Sequence, residues 1–84
     1  MKDIAKRAAP NLPRPIEVRA KKGIPLVVDG ERVQTVRESW LVEDGWWTER
    51  PLRRRYHELV SERGRNLVVF HDLQAGAWFT QAAA

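Results

Sequence analysis

Between Ile16 and Gln81, turn signals cut the chain into six short runs rich in β-branched or aromatic residues, and the 5 Pro and 5 Gly spread through the sequence leave little room for long helices. The runs are Ile16–Lys22, Ile24–Val28, Val33–Val42, Arg53–Val60, Leu67–His71 and Ala77–Gln81. Gly23, Asp29-Gly30, Glu43-Asp44-Gly45, Ser61-Glu62-Arg63-Gly64 and the stretch from Asp72 to Gly76 separate them. Asp29-Gly30 is the strongest hairpin signal, because both residue types tolerate positive φ, and Gly64 suits the left-handed position of a hairpin loop. In the first run Ile16, Val18 and Ala20 alternate with Glu17, Arg19 and Lys21, the two-residue period of a strand with one face turned to a core. Short strands about ten residues apart read as an antiparallel meander, and a sheet this small must curl or close to bury its apolar face. The expected fold is all-β: a small antiparallel meander curled into a barrel-like domain of SH3 or OB size. The main competitor is helix at Leu52–Ser61, where Leu52, Tyr56, Leu59 and Val60 also fit a helical stripe. The flanks there carry hairpin turns instead of caps, which favours strand.

The rest of the chain sits outside that meander. Met1–Ala9 is too short for a stable isolated helix, and Pro10-Asn11-Leu12-Pro13-Arg14-Pro15 favours an extended connector. Residues 1–15 therefore read as a flexible basic tail, 16–81 as the domain and 82–84 as a frayed end. The sequence holds 84 residues, one domain at most, with a thin core in which each large side chain counts. No apolar run approaches the ~18 residues of a membrane span, and the N-terminus lacks a signal-peptide apolar stretch. The expectation is a cytoplasmic protein with no membrane partner. With 0 Cys there is no thiol nucleophile and no cysteine zinc site.

Charge is blocked along the chain. Residues 1–22 set seven Lys/Arg against Asp3 and Glu17, and residues 49–65 carry six arginines against three glutamates. Between them, residues 23–48 are acidic, with Arg32 and Arg37 facing Asp29, Glu31, Glu38, Glu43 and Asp44. The net charge of +4 favours contact with a polyanion or an acidic protein surface, with salt-sensitive binding.

Four of the seven aromatic residues are tryptophan: Trp40, Trp46, Trp47 and Trp78, beside Tyr56, Phe70 and Phe79. Neighbours in a strand point to opposite faces, so Trp46-Trp47 and Trp78-Phe79 cannot each place both rings in one core. Trp40, Trp46, Tyr56, Phe70 and Trp78 are assigned mainly to the core, and Trp47 to the surface. Arg53-Arg54-Arg55 follow closely, with Arg53 and Arg55 on one face of a strand and Arg54 on the other. An exposed indole beside guanidiniums suits a protein partner or a nucleic acid strand. Trp47, Arg53, Arg54 and Arg55 are the expected contact residues.

Catalysis has little support. His57 reads as a surface strand residue and His71 as a residue at a strand end, and no cluster offers three metal ligands. Ser39 and Ser61 lack the surroundings of a nucleophile elbow, and no glycine-rich phosphate loop is present. A small hydrolase would need a pocket joining one histidine to a serine and an acid. No catalytic residue, cofactor or metal is expected.

Gly45-Trp46-Trp47, Arg54-Arg55-Tyr56, Gly64 followed by Leu67-Val68-Val69-Phe70, and Asp72 followed by Gly76 and Trp78-Phe79 occur in a familiar order. In this the chain resembles the small C-terminal domain of ImuB-type proteins, the inactive Y-family-polymerase relatives of bacterial mutasomes, and the stand-alone proteins similar to that domain. The resemblance covers about residues 15–81, with Arg55 standing where the family has Asp and Phe79 where it has Tyr. It implies a non-enzymatic accessory of translesion DNA repair that holds partners together. The expected function is a macromolecular binding module for a DNA-repair protein. Direct single-stranded nucleic-acid binding is the alternative, and the chain is expected as a monomer or an edge-strand homodimer.

Overall fold

The computed structural model describes residues 12–45 and 47–81, all-β and without a helix. The tail up to residue 11, Trp46 and residues 82–84 lie outside the described residues. Seven strands follow in order: β1 (Arg14–Pro15), β2 (Val18–Lys21), β3 (Ile24–Val28), β4 (Glu31–Asp44), β5 (Leu52–Ser61), β6 (Asn66–Asp72) and β7 (Ala77–Gln81). Every pairing is antiparallel, and the sheet order β1-β7-β6-β5-β4-β3-β2 curls into a half-barrel. Leu52–Ser61 is strand throughout, because pairing with β4 on one side and β6 on the other satisfies its backbone. No helix of the described residues is long and apolar enough to cross a membrane.

The turns follow the residues that permit them. Asp29 and Gly30 both take positive φ (51° and 79°), as a two-residue type I′ hairpin requires, and Lys22-Gly23 does the same (53° and 82°). Gly64 adopts φ 80° and its amide donates to the Ser61 carbonyl at 2.8 Å. At the β6–β7 turn one Asp72 carboxylate oxygen accepts from the amides of Gln74 and Ala75, at 2.9 and 3.0 Å.

The first expected strand, Ile16–Lys22, is divided. Arg14–Pro15 pairs with β7 while Val18–Lys21 pairs with β3, so residues 14–21 serve both ends of the sheet. Ile16 donates to the Trp78 carbonyl at 3.1 Å, and Asp29 donates to the Glu17 carbonyl at 2.7 Å. The break at Ile16-Glu17 marks where the chain passes from one sheet end to the other, and that passage curls the sheet. Among the described residues, strand pairing thus begins at Arg14, two residues ahead of the expected domain start.

The main apolar cluster lies on one face. Val28, Leu59 and Val69 are buried, with Ile16, Val18, Val33, Val36, Leu67 and Trp78 packed against them. Along β5 the burial alternates, so His57, Leu59 and Ser61 enter this face while Leu52, Arg54, Tyr56, Glu58 and Val60 take the other. On that other face the register aligns Trp40, Tyr56, Phe70 and Phe79 across four strands. Their rings touch in sequence, Trp40–Tyr56 at 5.4 Å and 4°, Tyr56–Phe70 at 4.9 Å and Phe70–Phe79 at 5.2 Å. Phe70 is buried within this row, as expected of a core ring, and Tyr56 is half-buried. Trp40 is 38% exposed, which corrects its assignment to the core: it ends the row at β4, with no ring of the described residues beyond it. Trp78 faces the core, as expected, and Phe79 lies half-buried in the outer row.

Candidate interaction surface at the loop end of the β4–β5 hairpin

Near the Leu52 end of β5 the core thins and polar groups replace it. Successive residues on the core-bearing face read Ser61, Leu59, His57, Arg55, Arg53, so one strand runs from fully buried to exposed within ten residues. The loop above it is ordered by local bonds. Gly45 takes φ 65°, its carbonyl accepts from the Thr48 amide (2.8 Å) and hydroxyl (2.7 Å), and that hydroxyl accepts from the Arg50 amide at 3.2 Å. This turn holds Trp47 outward at 67% exposure. Arg53 forms an ion pair with Glu43 directly across the strands, Nε to Oε2 at 2.9 Å, both side chains about half exposed. Arg55 is exposed between Leu41 on β4 and His71 on β6.

The four expected contact residues are therefore placed in two groups. Trp47, Arg53 and Arg55 share the loop end of one hairpin. Arg54 lies on the opposite face, its guanidinium carbon 4.5 Å above the centre of the Phe70 ring and its Nη1 3.3 Å from the Tyr56 hydroxyl. There it covers the aromatic row by a cation–π contact, and its Nε is buried without a hydrogen-bond partner.

His57 is the largest departure from expectation. It is fully buried, not a surface residue, because it shares the face of Leu59 and Ser61. The ring is accommodated by a 2.7 Å hydrogen bond between Nδ1 and the Ser39 hydroxyl, its direct cross-strand partner, and by stacking on Trp78 at 5.8 Å. Burial, then the charge of Arg55, then that of His71, holds its pKa below the ordinary histidine value. Trp78 also stacks on His71 at 4.5 Å and 1°, and His71 sits near the end of β6, where a strand-end residue was expected. A two-residue count from Leu59 back to His57 carried the signal for this burial.

The Ser39–His57 contact brings together a serine and a histidine, two of the three parts a hydrolase would need. The third is not at the ring. His57 Nε2 is buried without a hydrogen-bond partner, and the charged groups that act on the imidazole are Arg55 and His71. A base in that setting is weakened instead of strengthened, whereas a triad needs a carboxylate to support the imidazolium. Among the described residues no group of three His, Asp or Glu side chains is placed to hold a metal ion.

No family model matches the chain, and neither a curated protein nor a solved structure matches it.

Proposed function

We propose that the chain is a binding module without chemistry of its own, docking the loop end of its β4–β5 hairpin on an acidic surface of a protein partner. The kind of partner proposed is the one the sequence resemblance suggests, a component of translesion DNA repair. One observation carries the docking reading: an indole 67% exposed and two exposed guanidiniums share one hairpin end. Tryptophan and arginine are the residues that most often dominate binding energy, the ring by desolvated area and the guanidinium by paired charge and steering. The Glu43–Arg53 ion pair does not stand in the way. Exposed pairs contribute about 0–1 kcal/mol, so exchanging Glu43 for a partner carboxylate costs little.

A single nucleic acid strand is the second reading, favoured by the aromatic row across β4, β5, β6 and β7. Its face argues against it. Phe70 is covered, and Glu38, Asp44, Glu58 and Asp72 share that face with Arg54 as its cation. Phosphates approaching the row meet carboxylates first.

The test titrates the full chain with an Asp/Glu-rich peptide and, separately, with an oligothymidylate, at two salt concentrations, following tryptophan fluorescence. The docking reading expects the peptide to bind and binding to drop about tenfold or more in an Arg53→Ala/Arg55→Ala variant. Quenching by the oligonucleotide with a steep salt slope and none by the peptide would replace it with the nucleic-acid reading. Silence from both would overturn it.

A further inference from the structure

β4 is longer than the strands that pair with it. β5 covers one side along its length from Val33 to Asp44, but on the other side β3 pairs only with Glu31 and Arg32. Among the described residues, no strand pairs with the far side of β4 beyond Arg32. Native sheets protect such edges with bulges, prolines and lysines. Bulges are present here, between Val33 and Thr35 and between Val36 and Glu38, and they stop there. Glu38-Ser39-Trp40-Leu41-Val42-Glu43-Asp44 is regular, with no proline, no lysine and no bulge.

The pairing on the covered side determines which backbone groups point outward. The Leu73 amide donates to the Arg53 carbonyl and the Ser61 amide to the Arg65 carbonyl, so Arg53, Arg55, His57, Leu59 and Ser61 direct their backbone groups toward β6. Arg54, Tyr56 and Glu58 then bond to β4, through their partners Val42, Trp40 and Glu38. In the regular stretch, the outward N–H and C=O groups that no strand of the described residues takes up are those of Ser39, Leu41 and Glu43.

We propose that this edge pairs with the same edge of a second copy, antiparallel about a two-fold axis that places Trp40 opposite Trp40. Hydrogen bonding requires outward residues to meet outward residues, which leaves few registers. Centring on Trp40 sets Ser39 against Leu41 of the second copy within the regular stretch and brings Glu43 to the bulge residue Arg37 of the second copy, each contact occurring twice. Opposite charges therefore come together just beyond both ends of the regular ladder. Centring on Leu41 instead sets Glu38 against Asp44, like charges that destabilise a directly opposed pair. Centring on Ser39 sets Arg37 against Leu41, Glu38 against Trp40 and Thr35 against Glu43, with no opposite charge in reach and both bulges drawn into the ladder.

The favoured register also completes the aromatic row. Trp40 bonds toward β5, so across the two-fold the indoles form a non-hydrogen-bonded pair, the arrangement in which facing side chains are closest. Trp40 and Tyr56 already lie parallel, and a second indole beyond Trp40 continues Phe79, Phe70, Tyr56 and Trp40 into the same four rings of the other copy. Trp40 and Leu41, 38% and 42% exposed in the single chain, are covered together from the two faces. This pairing leaves Trp47 and Arg55 uncovered and meets the docking surface only through Glu43, the ion-pair partner of Arg53.

The full chain is examined by sedimentation and by oxidation of single-cysteine variants, the natural sequence having 0 Cys. Trp40→Cys places two thiols at the two-fold, where the ~4.5 Å Cα separation of such a pair falls within disulfide range. It is expected to cross-link into a dimer under mild oxidation, while Val42→Cys, opposite Glu38, stays uncross-linked. Leu41→Pro removes an outward amide, leaves the β5 ladder intact, and is expected to weaken dimerisation about tenfold or more. Arg37→Glu and Glu43→Arg are each expected to be monomeric alone and to form a mixed dimer together. A chain that stays monomeric up to about 1 mM overturns the proposal, including the case where the β4 edge amides resist hydrogen exchange because the chain's own N-terminal segment covers them. Faster cross-linking through Val42→Cys, or a dimer indifferent to Leu41→Pro and to both charge reversals, overturns it equally.

Discussion

The two ends of β5 share one strand, one register and one pair of neighbours, yet they behave as different materials. Toward Ser61 the β2–β3 hairpin and the bent run through Ile16 bring Val18, Val28 and Val33 over the sheet, and Leu59 is sealed. Toward Leu52 Arg53 and Arg55 are exposed, no apolar side chain of the described residues is packed over them, and the loop above them displays Trp47. A strand is therefore core or contact surface according to what is folded over it. In a domain this small, coverage extends to one end only, and the remainder is left for binding.

The largest effect should come from attacking the sealed end. Leu59→Ala removes a fully buried side chain and is expected to cost about 2–5 kcal/mol, a fall in Tm of roughly 10 °C or more in thermal unfolding. If the loss is under about 1 kcal/mol, the two ends do not differ as described.

Between the ends stands the Ser39–His57 bond. Ser39→Ala strips the buried imidazole of its hydrogen-bond partner and is expected to destabilise by about 1–2 kcal/mol in urea unfolding, with an unchanged m-value. The same ring gives the boundary a pH signature. Its folded pKa is below the ordinary value of 6.5, so the unfolded chain takes up the proton first as the solution is acidified. The contribution is fully present above pH 6.5 and is lost as pH falls through the folded value. Tm should fall between pH 7.5 and pH 5.5, and His57→Phe, which keeps a ring against Trp78, should flatten that slope. Glu31 acts in a separate window. Its hydrogen bond with Ser61, then the charges of Arg65 and Arg63, outweigh desolvation and hold its pKa below 4.5, so its contribution is present above that value and fades under stronger acid.

The smallest stability effect belongs to the open end. Arg53→Ala and Arg55→Ala are expected to shift unfolding by no more than about 0.5 kcal/mol each, since one forms only an exposed ion pair and the other faces solvent. A loss near that of Ser39→Ala would mean the guanidiniums are structural and would remove the contrast. Salt dependence of peptide binding, reduced in these variants, sharpens it from the other side.

Much of the strand pattern was legible because a strand needs only local information: residues that favour extended backbone, and turns whose φ requirement few residues meet. Asp29-Gly30 and Gly64 marked their turns for that reason, and the period of two correctly separated Arg54 from Arg53 and Arg55. Trp47 is exposed and Trp78 faces the core, but for each adjacent pair that rule required only that the two rings part. It could not say which face would be covered, so Trp40 was assigned inward although the row it joins lies on the outer face. His57 was missed in the opposite direction, as polarity was weighed above its two-residue relation to Leu59.

By itself, then, the sequence determined where the backbone extends, where it turns and which side chains share a face, since those depend on steric preferences within a few residues. Only the tertiary structure decided that residues 14–21 serve both sheet ends, that Ser39 meets His57, that Arg54 lies over Phe70, and that the far side of β4 has no strand against it among the described residues. Those outcomes depend on the register between distant strands and on the curl of the whole sheet. Both are set by the burial of many side chains at once, which no single segment encodes.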